Sequence, residues 1–197
     1  MENNTQLKEM IRSMVIDVLQ GQKQKMASSQ PIKQAPRGQV EPGVFDTVDE
    51  AIQAAKAAQA RFEDCTLATR EKVIADIRAA MRPRVQELAQ KTVDETGMGR
   101  VADKVLKLNL TLNKTPGVED LVTECETGDN GMTLYELSAY GVIGAITPST
   151  NPAETLICNT IGMLAAGNAV FFSVHPGAKH LSRLLVSELN QIIAKSI

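Results

Sequence analysis

The sequence contains no tryptophan, and its two tyrosines and four phenylalanines leave aromatic residues at only 3% of the chain. Bases would find no stacking platform, and a formal charge of −2 provides no basic stripe, so nucleic acid is excluded as a natural partner. Cysteine is scarce too. Cys65, Cys125 and Cys158 are odd in number and form no C-x-x-C pair, which argues against a disulfide framework or a zinc knuckle and fits a reducing compartment. No apolar run approaches the ~20 residues of a membrane-spanning helix, and the N-terminus lacks the basic and apolar regions of a secretory signal. Neither G-x-x-x-x-G-K-[ST] nor G-x-G-x-x-G occurs, so the P-loop and the common dinucleotide fingerprint do not apply. These absences predict a soluble cytoplasmic protein that acts on small molecules.

What is present falls into four parts. Residues 4–20 set Leu7, Met10, Ile11, Met14, Val15, Val18 and Leu19 at steps of three and four, the apolar stripe of an amphipathic helix. Gly21 stops it, and residues 21–43 are rich in Gln, Ser, Gly and Pro, the composition of a flexible linker. A stripe tethered in this way needs a surface to cover it. That surface could be its own domain, an oligomer partner, or a groove on another protein. A membrane surface fits less well, because Lys8 and Arg12 are balanced by acids.

Residues 46–131 read mostly as helix, a scaffold whose charges are expected on solvated faces. Thr47 and Glu50 have capping-box spacing, and the helix they open stacks Val48, Ile52, Ala55 and Gln59. A long helical run from Leu67 to Thr96 is expected to break or kink at Pro83 and to end at Gly97 and Gly99. A third helix is predicted from Val101 to Asn113, and "TPGVED" reads as a turn. From Met132 the period changes. Alternation through Leu134, Glu136 and Ser138 suggests a half-exposed strand, and the continuous apolar run Val142 to Ile146 a buried parallel one. A helix from Pro152 to about Ala166, a strand over Ala169 to Ser173 and a helix over Ala178 to Ala194 complete a strand, helix, strand, helix order. That order predicts a parallel α/β sheet, with ligands beyond the carboxyl ends of its strands.

Two loops then define the candidate site, "TPSTN" after the first parallel strand and "SVHPG" after the second. Asn151 is placed to cap the helix that Pro152 begins, and capping alone would account for it. Its amide could equally donate to an oxyanion at the strand-end crevice, where the helix terminus adds positive potential. Cys158 lies two turns into that helix among Leu156, Ile157 and Ile161 and is predicted to be a buried, unactivated thiol. Cys65 and Cys125, expected at loops or helix ends with acidic neighbours, lack activating groups as well. His175 could be a satisfied hydrogen-bonder or a ligand contact.

The stretch "GVIGAITPSTNPAETLICNTIGMLAAGNAVFFSVHPGAKH" resembles the first half of the cofactor domain of the aldehyde dehydrogenase superfamily. Together "ETGMG", "NKTPGVEDL", "PSTNP" and "HPGAK" resemble its CoA-acylating branch, in particular the propionaldehyde and acetaldehyde enzymes of bacterial microcompartments. The resemblance runs from about residue 44 to the end. It implies oxidation of an aldehyde with NAD and transfer of the acyl group to coenzyme A. It implies, too, that Asn151 stabilises the thiohemiacetal oxyanion and that Thr147, Pro148 and Ser149 line the nicotinamide end of the groove. Ser173 stands where hydrolytic relatives carry a ribose-binding lysine. With His175 and Pro176 it would accept NAD and then CoA, while Val174 replaces an expected proline. Residues 1–20 resemble encapsulation peptides, which implies a shell or cargo partner and the microcompartment lumen; homo-oligomers are usual in the family.

The expected fold is therefore α/β: the N-terminal part of the aldehyde dehydrogenase fold, a helical segment plus the first strands and helices of a Rossmann-like parallel sheet. The targeting helix (1–20) and the linker (21–43) precede an incomplete NAD-binding domain (44–197). The family's nucleophilic cysteine, pyrophosphate glycines and acid-base glutamate would lie beyond Ile197. As an N-terminal fragment, the piece is expected to be inactive alone and to expose an apolar sheet edge. A non-catalytic targeting or assembly subunit is the alternative.

Overall fold

The computed structural model describes residues 41–197. The predicted amphipathic helix at 4–20 and nearly all of the 21–43 linker lie outside the described residues.

Helix α1 (Val48–Phe62) starts at the predicted capping box. The Glu50 N–H donates to Thr47 Oγ1 and the Thr47 N–H to Glu50 Oε2, both at 3.2 Å, satisfying two of the donors a helix start leaves open. Its inward face buries Ala55, Gln59 and Phe62, whereas Val48 is exposed. Helix α2 (Leu67–Met81) is capped by Thr66. At Pro83 the chain tightens into a 3-10 turn, η1 (Arg82–Arg84), and resumes as α3 (Val85–Thr96). Arg84 at this joint pairs with Glu87 and with Glu188 far along the chain, so the break is fastened from outside. Gly97 ends α3 in the left-handed region, φ 65°, where a side chain would be strained. Helix α4 follows (Val101–Lys114), and "TPGVED" closes into a second 3-10 turn, η2 (Val118–Asp120).

The helical reading of 46–131 fails at its end. Glu124–Gly128 forms strand β1, paired antiparallel with β2 (Gly131–Tyr135) around Asp129 and Asn130, so Cys125 sits in a strand rather than a loop or helix end. The alternation from Met132 to Ser138 does not mark a half-buried surface either. Strand β2 stops at Tyr135, and every residue of the hairpin is exposed. Charge at Glu124, Glu126 and Asp129 keeps the ribbon out of the core, although Met132 and Leu134 are apolar.

Strand β3 (Val142–Thr147), helix α5 (Pro152–Ala165) and strand β4 (Ala169–Val174) form the predicted parallel unit, its register running from Val142 opposite Ala169 to Thr147 opposite Val174. Helices α1 and α5 both pack on these strands. Among the described residues, β3 and β4 pair only with each other. The continuous apolar run in β3 does not mean burial on both faces: Ala145 and Thr147 are buried, while Ile146 is 87% exposed. A 3-10 turn, η3 (Pro176–Ala178), leads into α6 (Lys179–Ser196).

One core joins α1 through α6, built on Ile77, Met81, Leu88, Leu108, Leu156, Ile157, Ile161 and Leu185. Each such side chain contributes about 1.5–3 kcal/mol by leaving water. Because β3 and β4 run the same way, this core holds the loops 148–151 and 175–178 at one edge of the sheet.

Candidate functional site

Asn151 stands at the start of α5, but its side chain makes no capping bond. The capping prediction is therefore corrected. Pro152 at N1 lacks an N–H, which leaves the helix start one open donor fewer, and the backbone is anchored by the Thr155 N–H donating to the Asn151 carbonyl at 3.0 Å. The carboxamide oxygen turns toward α4, where Lys104 Nζ and Lys107 Nζ each donate to Oδ1 at 3.1 Å. Lysine offers only donors, so the oxygen must face them and Nδ2 must face away. Among the described residues, Nδ2 has no hydrogen-bond acceptor.

Lys104 is the residue that sequence reasoning missed. It is 3% exposed, and Nζ also donates to the Thr150 carbonyl and lies 3.7 Å from Glu154 Oε1. The expectation that the charges of the helical segment sit on solvated faces fails here. A readable signal existed: Lys104, Leu108 and Leu112 occupy one stripe at steps of four, and all three are buried. At the head of the same helix Arg100 pairs with Asp103 at 2.8 Å, and that hydrogen bond holds the Asp103 carboxyl below its usual range.

The residues leading into α4 touch both strand-end loops. Met98 Sδ lies 4.0 Å from Ser149 Oγ. Glu95, in the last turn of α3, accepts the His180 N–H and the Leu181 N–H at 2.7 Å each, one on each carboxylate oxygen. Ala178 supplies no side-chain cap to α6, so Glu95 neutralises that positive helix end and ties the 175–178 turn to α3.

The other predicted site residues are distributed as follows. Thr147 is 2% exposed and its Oγ1 has no partner among the described residues, so its side chain underlies the loop rather than lining an open surface. Pro148 is exposed and Ser149 half-buried. Ser173, His175 and Pro176 are exposed beside the other strand end. His175 Nδ1 accepts the Gly177 N–H at 3.0 Å, which makes one ring nitrogen a turn-former and leaves Nε2 outward.

Cys158 corrects the sequence reading most directly. It is exposed, not buried. The inward stripe of α5 consists of Ala153, Leu156, Ile157, Thr160, Ile161 and Leu164, and position 158 falls outside it. The thiol borders a concavity of about 400 Å³ with Pro116, Leu121, Leu137 and Met163. Seven residues of helical rise put it ~10 Å along the axis from Asn151, too far to share a reacting centre. Among the described residues, no group of three or more His, Cys, Asp or Glu could hold a metal ion, and no helix is long and apolar enough to cross a membrane.

The profile of the Aldehyde dehydrogenase family matches residues 18–192. The propanal dehydrogenase (CoA-propanoylating) of Salmonella typhimurium is 45% identical over 190 residues, covering 96% of this chain and 39% of that relative. A propionaldehyde dehydrogenase from the fucose utilisation microcompartment of Clostridium phytofermentans superposes with a TM-score of 0.76 at 49% identity, over 79% of this chain and 36% of that one. An engineered glycolyl-CoA reductase with bound NADP+ also superposes at TM-score 0.76, with 47% identity over 78% of this chain and 35% of that one. The chain thus spans about two fifths or less of the length of the proteins it matches.

Proposed function

The chain belongs to the aldehyde dehydrogenase family, and on that premise we propose that it is the N-terminal part of a CoA-acylating enzyme that oxidises a short-chain aldehyde with NAD. The observation that carries this reading is the Asn151 carboxamide, its oxygen held by Lys104 and Lys107 and its Nδ2 unengaged at the carboxyl edge of a parallel sheet. An amide donor fixed in this way stabilises an oxyanion without reorganising when charge develops. The nucleophile comes from outside residues 41–197 on this reading, since Cys158 lies ~10 Å along the helix axis from Asn151. The CoA-propanoylating relative and the NADP+-bound neighbour support CoA and a nicotinamide cofactor as the reactants.

The strand edge suits an extended dinucleotide. Exposed Ser173, His175 and Pro176 flank one strand end, Pro148 and Ser149 the other, and the paired register keeps the two loops adjacent. The buried hydroxyl of Thr147, without a partner among the described residues, is a further polar group beneath this edge. When bound, the nicotinamide supplies the electron-pair acceptor for the aldehyde carbon. The chain's own part is to seat that ring along 148–149, hold the far end of the cofactor near 173–176, and present Nδ2 of Asn151 to the substrate oxygen. The test is the full-length protein with propanal or acetaldehyde, CoA and NAD. Acyl-CoA should form in step with NADH, and NADH formation indifferent to CoA would rule out the acylating assignment.

For residues 4–20 the proposal is a docking peptide for a shell or cargo protein, with the microcompartment lumen as destination. The amphipathic stripe and linker support it, as does the similarity to a propionaldehyde dehydrogenase of a fucose utilisation bacterial microcompartment. A deletion of residues 1–20 should abolish co-sedimentation with purified shell particles while leaving turnover within about twofold. Undiminished co-sedimentation would remove the targeting role.

A further inference from the structure

Lys104 has a position that packing does not explain. A cation with 3% of its surface exposed lies on the apolar stripe of α4, although a leucine there would continue the line of Leu108 and Leu112. Its ion-pair partner does not justify the burial. Glu154 stands 3.7 Å away with 9% of its side chain exposed, and neither carboxylate oxygen has a hydrogen-bond partner among the described residues. Buried pairs with so few hydrogen bonds rarely repay the desolvation of two charges.

We propose that Lys104 and Lys107 are positioning residues that clamp the Asn151 carboxamide in the one orientation that presents its N–H donors to the substrate oxygen. This inference rests on the oxyanion reading above. An asparagine side chain has broad, roughly two-fold freedom about its terminal torsion. Unclamped, it would offer the crevice its oxygen as readily as its nitrogen, and an oxygen would repel a developing oxyanion. Two donors at 3.1 Å on Oδ1 remove that alternative.

The Thr150 carbonyl gives Lys104 a second anchor one residue upstream, so the same ammonium fixes the loop and the amide it carries. Glu154, three residues into the family's "NP" helix, holds the charge of Nζ in place from the far side. The approach requires space. Gly99, at φ 81°, passes so close that a Cβ there would lie 3.3 Å from Lys104 Cε, and its conformation already disfavours a side chain. No capping bond competes for the Asn151 side chain.

The experiment compares Lys104→Met, Lys107→Met, Asn151→Ala and the two lysine variants combined with Asn151→Ala in the full-length enzyme. Losing one of two orienting donors should lower kcat ~10-fold for Lys104→Met and ~3-fold for Lys107→Met, with KM for aldehyde within about twofold. If the lysines act through Asn151, each double variant will be no slower than Asn151→Ala alone. Multiplicative losses in the double variants, or wild-type kcat in both single lysine variants, would overturn the clamp. Normal turnover of Asn151→Ala would sink the oxyanion reading itself, so the two failures are distinguishable. Lys104→Met leaves Glu154 buried without its partner; if it fails to fold, the exposed Lys107 decides the question by the same kcat and double-variant criteria.

Discussion

Replacing Asn151 by alanine is expected to lower turnover of the full-length enzyme by ~10²–10³, the usual cost of removing one oxyanion donor. The effect should fall on kcat more than on KM, because the bond strengthens only as charge develops on the substrate oxygen. Loss of fold is not the expected cause: the side chain caps nothing, and Lys104 keeps the Thr150 carbonyl and Glu154 as partners. Asn151→Asp separates the roles more sharply. A carboxylate would still accept from both lysines, as the amide oxygen does at 3.1 Å, so the variant should fold with thermal stability at least equal to the parent. It has no N–H to donate, and its charge opposes an oxyanion, so its turnover should be as low as that of Asn151→Ala. Steady-state kinetics with a parallel melting curve checks both. An aspartate variant with near-parental kcat would show that the amide donor does not act on the substrate.

The legible part of the fold was written in local chemistry. The Thr47 and Glu50 box, the break at Pro83, the stop at Gly97 and the parallel pair around α5 all depend on residues within a few positions of the feature they set. The hairpin at 124–135 was less readable, because its strands bury nothing and alternation carries no information where neither face meets a core. The candidate site divides the same way. Asn151 was found through its loop and its helix start. Its holders were not, since Lys104 and Lys107 lie more than forty residues away in sequence and their hydrogen bonds exist only after α4 packs beside α5. A lysine in phase with Leu108 and Leu112 was the available clue, and it was read as surface because lysines usually are.

Neighbouring residues in α5 should respond in opposite ways to truncation. Ile157 is 0% exposed and belongs to the core that joins α1 through α6, so Ile157→Ala should cost about 3–4 kcal/mol from lost transfer energy and the cavity left behind. For a chain of this size that corresponds to a fall of roughly 6–15 °C in Tm. Cys158→Ser, one position further along, should stay within about 0.5 kcal/mol, because the thiol is exposed and holds no core contact in this structure. The pair tests the phase of the helix rather than its existence. A one-residue rotation of α5 about its axis would turn position 158 inward and also carry Asn151, at the head of the helix, away from α4. Denaturant melts of the two variants of this chain therefore check the geometry of the site through residues that take no part in it. Equal losses for both, or a larger loss for Cys158→Ser, would mean that α5 is seated differently and that the lysine contacts to Asn151 do not form as described.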